Sequence, residues 1–404
     1  MNNLRKEMKD WVLSLQILLA CVGATILVPL LVGFAPSTAL FTAGVGTLLF
    51  GFLTKNKVPA FLGSSFAFIS PMIAITTQYG YDYSCGGFIV VGIIYVLFAL
   101  LVYKVGMDKV SKLLPPQVTG TMIIIIGMSL VPSAITNIQS NVAIALVTLG
   151  TSLAVLIFGK GFFKQLGIML ALIVGYIISV VYGLVDFSSV TQASMITLPQ
   201  LVLPKFDFSA IMIIAPVALV TVLEHIGDIT TLGAVTEKNY IQEPGLHRTL
   251  IGDGLATALG GLFGSVGNTT YGESTSVLAL TKQCDPKLTR RAGIIAIVLS
   301  LFGYLSGALQ SVPAFVVGGI SLQLYCMIAW VGAKSLKDNK SYKSVKNLIV
   351  IAVMLIIGLG GYTLTIGSVT LSSLAFAGIV GIVLNLILNS KKKKCNCEHC
   401  HCKK

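Results

Sequence analysis

The sequence predicts an all-α polytopic membrane protein of fourteen transmembrane segments, arranged as two inverted repeats of seven, in which spans three and ten are broken by short antiparallel strands. The first observation is composition: of 404 residues, 55% are hydrophobic and 11% charged, with a mean hydropathy of +0.90. A soluble domain carries about 25% charge, so a soluble enzyme is excluded. The second is that apolar runs near twenty residues recur about every 25 to 30 positions. The third is that polar residues interrupt two of these runs at corresponding places in the two halves. A net charge of +13 would normally suggest nucleic acid. The basic residues, however, lie in short clusters between apolar runs and form no patch, so the charge reports topology.

In chain order the spans fall near 11–33, 38–54, 62–78, 86–106, 117–134, 142–158, 165–184, 210–228, 250–266, 272–281, 290–310, 313–334, 345–361 and 370–389. Asp10 precedes a run that continues as the first span, so no cleavable signal peptide is expected. In the third span Gly63-Ser64-Ser65-Phe66 breaks the apolar pattern, and around the tenth Gly267-Asn268-Thr269-Thr270-Tyr271-Gly272 does the same. These residues favour extended or turning backbone, so neither span can be a plain helix.

With a cytoplasmic N-terminus and simple alternation, the lysines and arginines of every cluster fall inside, and only Lys205 of 28 basic residues falls outside. The positive-inside rule demands that distribution, and losing one span would reverse every later loop. Both termini are therefore expected in the cytoplasm. At an offset of 205 residues, Ser64-Ser65-Phe66-Ala67 faces Thr269-Thr270-Tyr271-Gly272; at a slightly longer one, Gly44-Val45-Gly46 faces Gly252-Asp253-Gly254. Span three runs outward and span ten inward, which makes the halves inverted repeats.

Broken spans at matching places in inverted halves point to a midplane binding site, because unwound backbone survives in a bilayer only where protein or a cavity satisfies it. The amides around Phe66 and around Tyr271-Gly272-Glu273, backed by half-helix N-termini, would bind hydrogen-bond acceptors. Glu224 and Asp228 are four apart on span eight, hence on one face, and Glu273 sits at the break in span ten. Acids at that depth cost about 2.5 to 3.5 kcal/mol each and are functional candidates by default. Asp253, nearer the cytoplasmic start of span nine, reads as a partly solvated interface residue. His225 points about 100° away from Glu224 around the helix, as a packed histidine or a proton relay. Phe66 and Tyr271 are read as stacking or backbone contacts.

These segments resemble the nucleobase–ascorbate transporter (nucleobase–cation symporter 2) family, and within it the bacterial uracil permeases. The resemblance is carried by Leu62-Gly63-Ser64-Ser65-Phe66-Ala67-Phe68-Ile69-Ser70-Pro71, by Glu224-His225-Ile226-Gly227-Asp228 and by Asn268-Thr269-Thr270-Tyr271-Gly272-Glu273. Gly23-Ala24-Thr25-Ile26-Leu27-Val28-Pro29 and Pro244-Gly245-Leu246-His247-Arg248 add to it. It implies a core domain of spans 1–4 and 8–11 (residues 1–112 and 210–310) that moves against a gate domain of spans 5–7 and 12–14 (113–209 and 311–389), commonly in a homodimer in the bacterial cytoplasmic membrane. It further implies Glu224 and Glu273 as side-chain ligands and the backbone of Phe66 and Gly272 as main-chain ligands. Uracil is a neutral ring with two N–H donors and two carbonyl acceptors, and that ligand set complements it.

The chain departs from the family pattern at Ile17, where a histidine is common, and at Asp228, where uracil permeases carry a second histidine. Ser274 and Ser276 replace an expected Asn and Gly. The expected activity is uracil import by proton symport through alternating access, with no cofactor beyond the proton. Glu224 and Asp228, which resist simultaneous ionisation, would share that proton, with Glu273 chiefly a ligand. Xanthine or purine transport and sodium coupling are the alternatives. Two acids beside the helix N-termini argue against an anion carrier of the same architecture. No nucleophile–base pair supports a membrane enzyme. The tail at 390–404 packs Cys395, Cys397, His399, Cys400, His401 and Cys402 into eight residues, a density suited to zinc or copper.

Overall fold

An apolar run in lipid has one economical solution, a helix that satisfies its own backbone, and the chain takes it wherever no polar residue intervenes. The computed structural model describes residues 2–106, 115–199, 201–362, 364–366 and 369–389; the Cys/His tail lies outside the described residues. Helices α1 (Asn2–Val32) and α2 (Pro36–Leu53) lead to strand β1 (Leu62–Ser64), a single 3₁₀ turn (Phe66–Phe68) and half-helix α3 (Ile69–Gln78). There follow α4 (Tyr81–Val105), α5 (Pro116–Ser129), α6 (Val131–Gln139), α7 (Val142–Phe158), α8 (Gly167–Val181) and the short α9 (Ser188–Thr191). The second half holds α10 (Phe208–Thr236), α11 (Leu246–Leu262), strand β2 (Asn268–Thr270), half-helix α12 (Gly272–Thr281), α13 (Pro286–Ser300) and α14 (Gly303–Gln310). It ends with α15 (Ala314–Asp338), α16 (Val345–Leu359), β3 (Leu364–Ile366), β4 (Val369–Leu371) and α17 (Ser373–Asn389). Among the described residues, seven helical segments are long and apolar enough to cross a membrane alone.

The interruptions expected in spans three and ten are present: β1 pairs antiparallel with β2 in the register Leu62↔Thr270, Gly63↔Thr269, Ser64↔Asn268. Their element boundaries correspond at an offset of 206, one more than sequence matching suggests, since β1 and β2 begin at 62 and 268 and the following helical turns at 66 and 272. Phe66 is thus the counterpart of Gly272, not of Tyr271. Three other spans differ from expectation. Span five bends at Leu130, because Pro132 cannot donate to the carbonyl one turn earlier and its ring crowds that turn. Span eleven breaks into α13 and α14 where residues 195–197 lie against it: Thr197 N–H donates to Leu301 C=O and Gly303 N–H to Met195 C=O. The chain around 370, expected in helix, forms the β3–β4 pair, and α17 starts only at Ser373. Leu364-Thr365-Ile366 and Val369-Thr370-Leu371 are rich in branched residues that suit strands.

Loops gather at two opposite ends, as alternation requires. Asn56, Lys57, Lys238, Asn239, Tyr240, Gln242, Glu243 and Pro286 line one depression, and Lys57 pairs there with Glu243. Ser37, Tyr81, Thr197, Leu198, Pro199, Val202, Gly264, Ser306 and Gln310 line the depression at the other end. Lys205, the basic residue that alternation leaves on the second end, is held by Asp82 at 2.9 Å, which raises its pKa.

Two close helix contacts mirror each other. A Cβ on Gly44 of α2 would fall 2.5 Å from the Gly293 carbonyl of α13, and one on Gly92 of α4 would fall 2.6 Å from the Gly254 carbonyl of α11. Gly92→Leu is expected to destabilise the folded protein by about 3 kcal/mol or more, at or above the upper end of overpacking costs. A detergent melt should show it as a clear loss of thermal stability, whereas Leu97→Ala, on an exposed apolar face one to two turns away, should change little.

Candidate functional site

The strand pair is fixed before any ligand arrives. Ser65 N–H donates to Gly267 C=O and Tyr271 N–H to Phe61 C=O, extending the pairing at both ends. Thr257 Oγ1 donates to the Asn268 carbonyl at 2.6 Å, and Asn268 Nδ2 to the Ala256 carbonyl at 3.2 Å, tying β2 to α11. Leu62 N–H donates to Thr47 Oγ1 at 3.0 Å, and Ser64 Oγ to the Thr25 carbonyl at 3.0 Å, tying β1 to α2 and α1. With the backbone held, the 3₁₀ turn at Phe66 and the helix at Gly272 present first-turn amides that have no partner within their own helix.

Beside these amides lies one face of α10. Glu224, Gly227 and Thr231 are exposed at helical spacing and Asp228 is half-buried between them. From α12, Gly272 and Ser276 are exposed and Glu273 is half-buried. The two elements meet where a Cβ on Gly272 would come within 3.7 Å of Asp228 Oδ1. Glu224, Asp228 and Glu273 lie within electrostatic reach of one another. Phe66 is half-buried and touches all three hydrophobic clusters of the molecule. The structure therefore brings together four of the five expected ligand positions, Phe66, Glu224, Gly272 and Glu273, with Asp228 alongside. The fifth differs: the Tyr271 side chain is 5% exposed, its ring lies against Gly63, and its hydroxyl donates to the Ser64 carbonyl at 2.7 Å. Its ring acts as a brace across the strand pair and presents no face to the opening.

Two residues set aside by the sequence reading are joined behind the site. Asp253, expected at a solvated boundary, is fully buried, because α11 packs its first turns between α2 and α4. His225, also fully buried, places Nδ1 3.3 Å from Asp253 Oδ2 and 3.2 Å from Thr270 Oγ1. Thr270 in turn donates to Asp228 Oδ2 at 3.2 Å, and Thr269 to Asp253 Oδ2 at 3.1 Å. The available sequence signal was the pair of threonines inside the break, whose hydroxyls need partners at that depth. Among the described residues no group of three or more His, Cys, Asp or Glu is arranged to hold a metal ion.

Multiple apolar helices around a polar break define the class as a polytopic membrane protein, and the family match that follows makes it a transporter, not an enzyme. The model of the Permease family, Xan_ur_permease, matches residues 8–367, and the chain belongs to that family. It is 39% identical over 394 residues to a probable uracil permease of Pasteurella multocida, covering 95% of this chain and 94% of that one. It is likewise 39% identical over 387 residues to the uracil permease of Escherichia coli (strain K12), covering 93% and 90%. In fold it is similar to the murine Solute Carrier 26 family member A9 anion transporter in its inward-facing state, with TM-score 0.72, 13% identity and coverage of 95% of this chain and 68% of that one.

Proposed function

We propose that the chain imports uracil by proton symport through alternating access. The observation that carries this reading is the placement of Glu224, Asp228 and Glu273 around two half-helix N-termini. The carboxylates accept from the N–H groups of a neutral ring, while the amides near Phe66 and Gly272 donate to its carbonyls. A ring lacking the matching edge covers an acid without pairing it and is rejected. An anion would meet three acids at the same place, so the likeness to an anion transporter extends to the fold alone. The curated relatives named as uracil permeases support uracil over other nucleobases.

In this reading fourteen segments cross the bilayer as two inverted repeats, with both termini cytoplasmic. The mirrored contacts Gly44–Gly293 and Gly92–Gly254 and the gathering of loops at two ends support it. Residues 1–112 and 210–310 form the core and 113–209 and 311–389 the gate, in a homodimer of the bacterial cytoplasmic membrane. Between them runs an apolar seam, a cavity of about 50 Å³ lined by Val118, Met122, Leu219, Leu223 and Ile379 among others, where few directional bonds oppose sliding. Protonation of the acids outside admits uracil and lets the core move; release inside reverses both. Labelled uracil uptake by cells expressing the protein should collapse on adding a protonophore, persist when sodium is replaced, and be competed by unlabelled uracil but not by xanthine or uric acid. Uptake indifferent to the protonophore would remove proton coupling, and competition by xanthine alone would remove uracil.

A further inference from the structure

We propose that His225 and Asp253 form a buried proton store for the transport cycle, loaded from Asp228 through the hydroxyl of Thr270. The inference rests on the symport reading and adds where the proton resides while the core moves. Asp228 Oδ2, Thr270 Oγ1, His225 Nδ1 and Asp253 Oδ2 follow one another at 3.2, 3.2 and 3.3 Å. Asp228 is half-buried beside the opening, whereas His225 and Asp253 are wholly buried, so the row runs from the site into the dry interior.

The step balances without any other reactant. The Asp228 carboxyl gives its proton to Thr270 Oγ1 as the Thr270 hydroxyl gives its own to His225 Nδ1. The products are an Asp228 carboxylate, an unchanged hydroxyl and an imidazolium beside Asp253 Oδ2. The same heavy-atom spacings serve both orders: Thr270 donates to the histidine before the transfer and to Asp228 after it. Thr269 donates to the same Asp253 oxygen at 3.1 Å, and Tyr95 of α4 reaches Asp253 and Thr221. Phe50 closes the other side, its ring edge-on to the imidazole at 6.3 Å between centroids. Glu224 from the same helix and Glu273 from α12 face Asp228.

His225 Nε2 and Asp253 Oδ1 are buried and have no hydrogen-bond partner among the described residues. The other groups that reach Asp253, the Thr269 and Tyr95 hydroxyls, are neutral donors, and the far ring nitrogen has no acceptor, so a proton taken up at Nδ1 returns through Thr270. That makes the pair a one-ended store and not a channel, and it keeps the coupling proton from leaking while uracil crosses. It also leaves Asp228 ionised when uracil is bound, which strengthens the site's grip on the ring N–H groups.

The test uses the purified full-length protein in liposomes containing a pH-sensitive dye. Under an imposed inward proton gradient the wild type should take up protons with uracil and accumulate it about tenfold per pH unit if one proton accompanies each uracil. Thr270→Val keeps a branched residue in the strand and removes only the hydroxyl. It is expected to retain exchange of labelled for unlabelled uracil while losing proton uptake and accumulation, and Thr270→Ser should restore both. His225→Asn is expected to give the same split and carries the test if Thr270→Val does not fold. Wild-type proton uptake in Thr270→Val, or in His225→Asn, overturns the store and leaves the symport reading intact. Loss of exchange together with accumulation in both variants makes the pair structural and also overturns the store. A wild type that takes up no protons overturns the symport reading itself.

Discussion

Glu273→Gln is expected to weaken uracil binding by about tenfold to a hundredfold, with a matching fall in uptake at low substrate concentration. Glutamine has nearly the same shape, so packing at the start of α12 is kept. What changes is that an ionised acceptor becomes a neutral amide, one end of which is a donor. A hydrogen bond to a charged group contributes about 1.5 to 3 kcal/mol, and its loss sets that range. The effect should fall on affinity, read by calorimetry or by half-saturation of uptake, and the melting profile of the unliganded protein should shift little. Unchanged affinity would remove Glu273 from the ligand set and leave Glu224 and the backbone amides to account for the ring.

Gly63→Ala should abolish uptake although it adds only one methyl group, whose nearest neighbours are the Tyr271 ring and the Thr25 hydroxyl and no acid. The new Cβ would stand 2.6 Å from the Tyr271 ring and 2.7 Å from Thr25 Oγ1. The ring cannot simply swing aside, because its hydroxyl is held by the Ser64 carbonyl and Tyr271 is itself the residue before α12. Relief must come from shifting β1 against β2, which moves the Phe66 and Gly272 amides relative to each other. Overpacking costs about 1–3 kcal/mol and losing the tyrosine bond about 1 kcal/mol more. A protein that still enters the membrane, melts earlier and no longer binds uracil is the expected result, measured by size-exclusion profile, thermal melt and binding assay. Full binding in this variant would mean that the strand register does not set the site.

Much of the site could be read from the chain because its signals are local. Glu224 and Asp228 share a face by the helical period alone, and the break at Asn268-Thr269-Thr270 shows itself as polar residues in an apolar run. The Tyr271 ring was not readable in this way: whether an aromatic beside a break turns toward a ligand or into the core depends on the space left by Gly63 on another strand. The same holds for His225. Its 100° offset from Glu224 showed that it leaves the opening, but not that Asp253 waits on α11 to receive it. The split of span eleven depends on the segment at 195–197, which is distant in sequence and adjacent in space.

By itself the sequence determined the apolar class of the chain, the two interrupted helices and which acids lie in apolar helices beside them. Each of these follows from hydropathy and from the fixed rise and turn of a helix, which act within about twenty residues. Only the tertiary structure decided the one-residue shift in the repeat, the brace made by Tyr271, and the buried row from Asp228 to Asp253. Those depend on which side chains meet across 16 to more than 200 positions, and contacts of that kind are set by how helices and strands close on one another, not by the run of residues along any one of them.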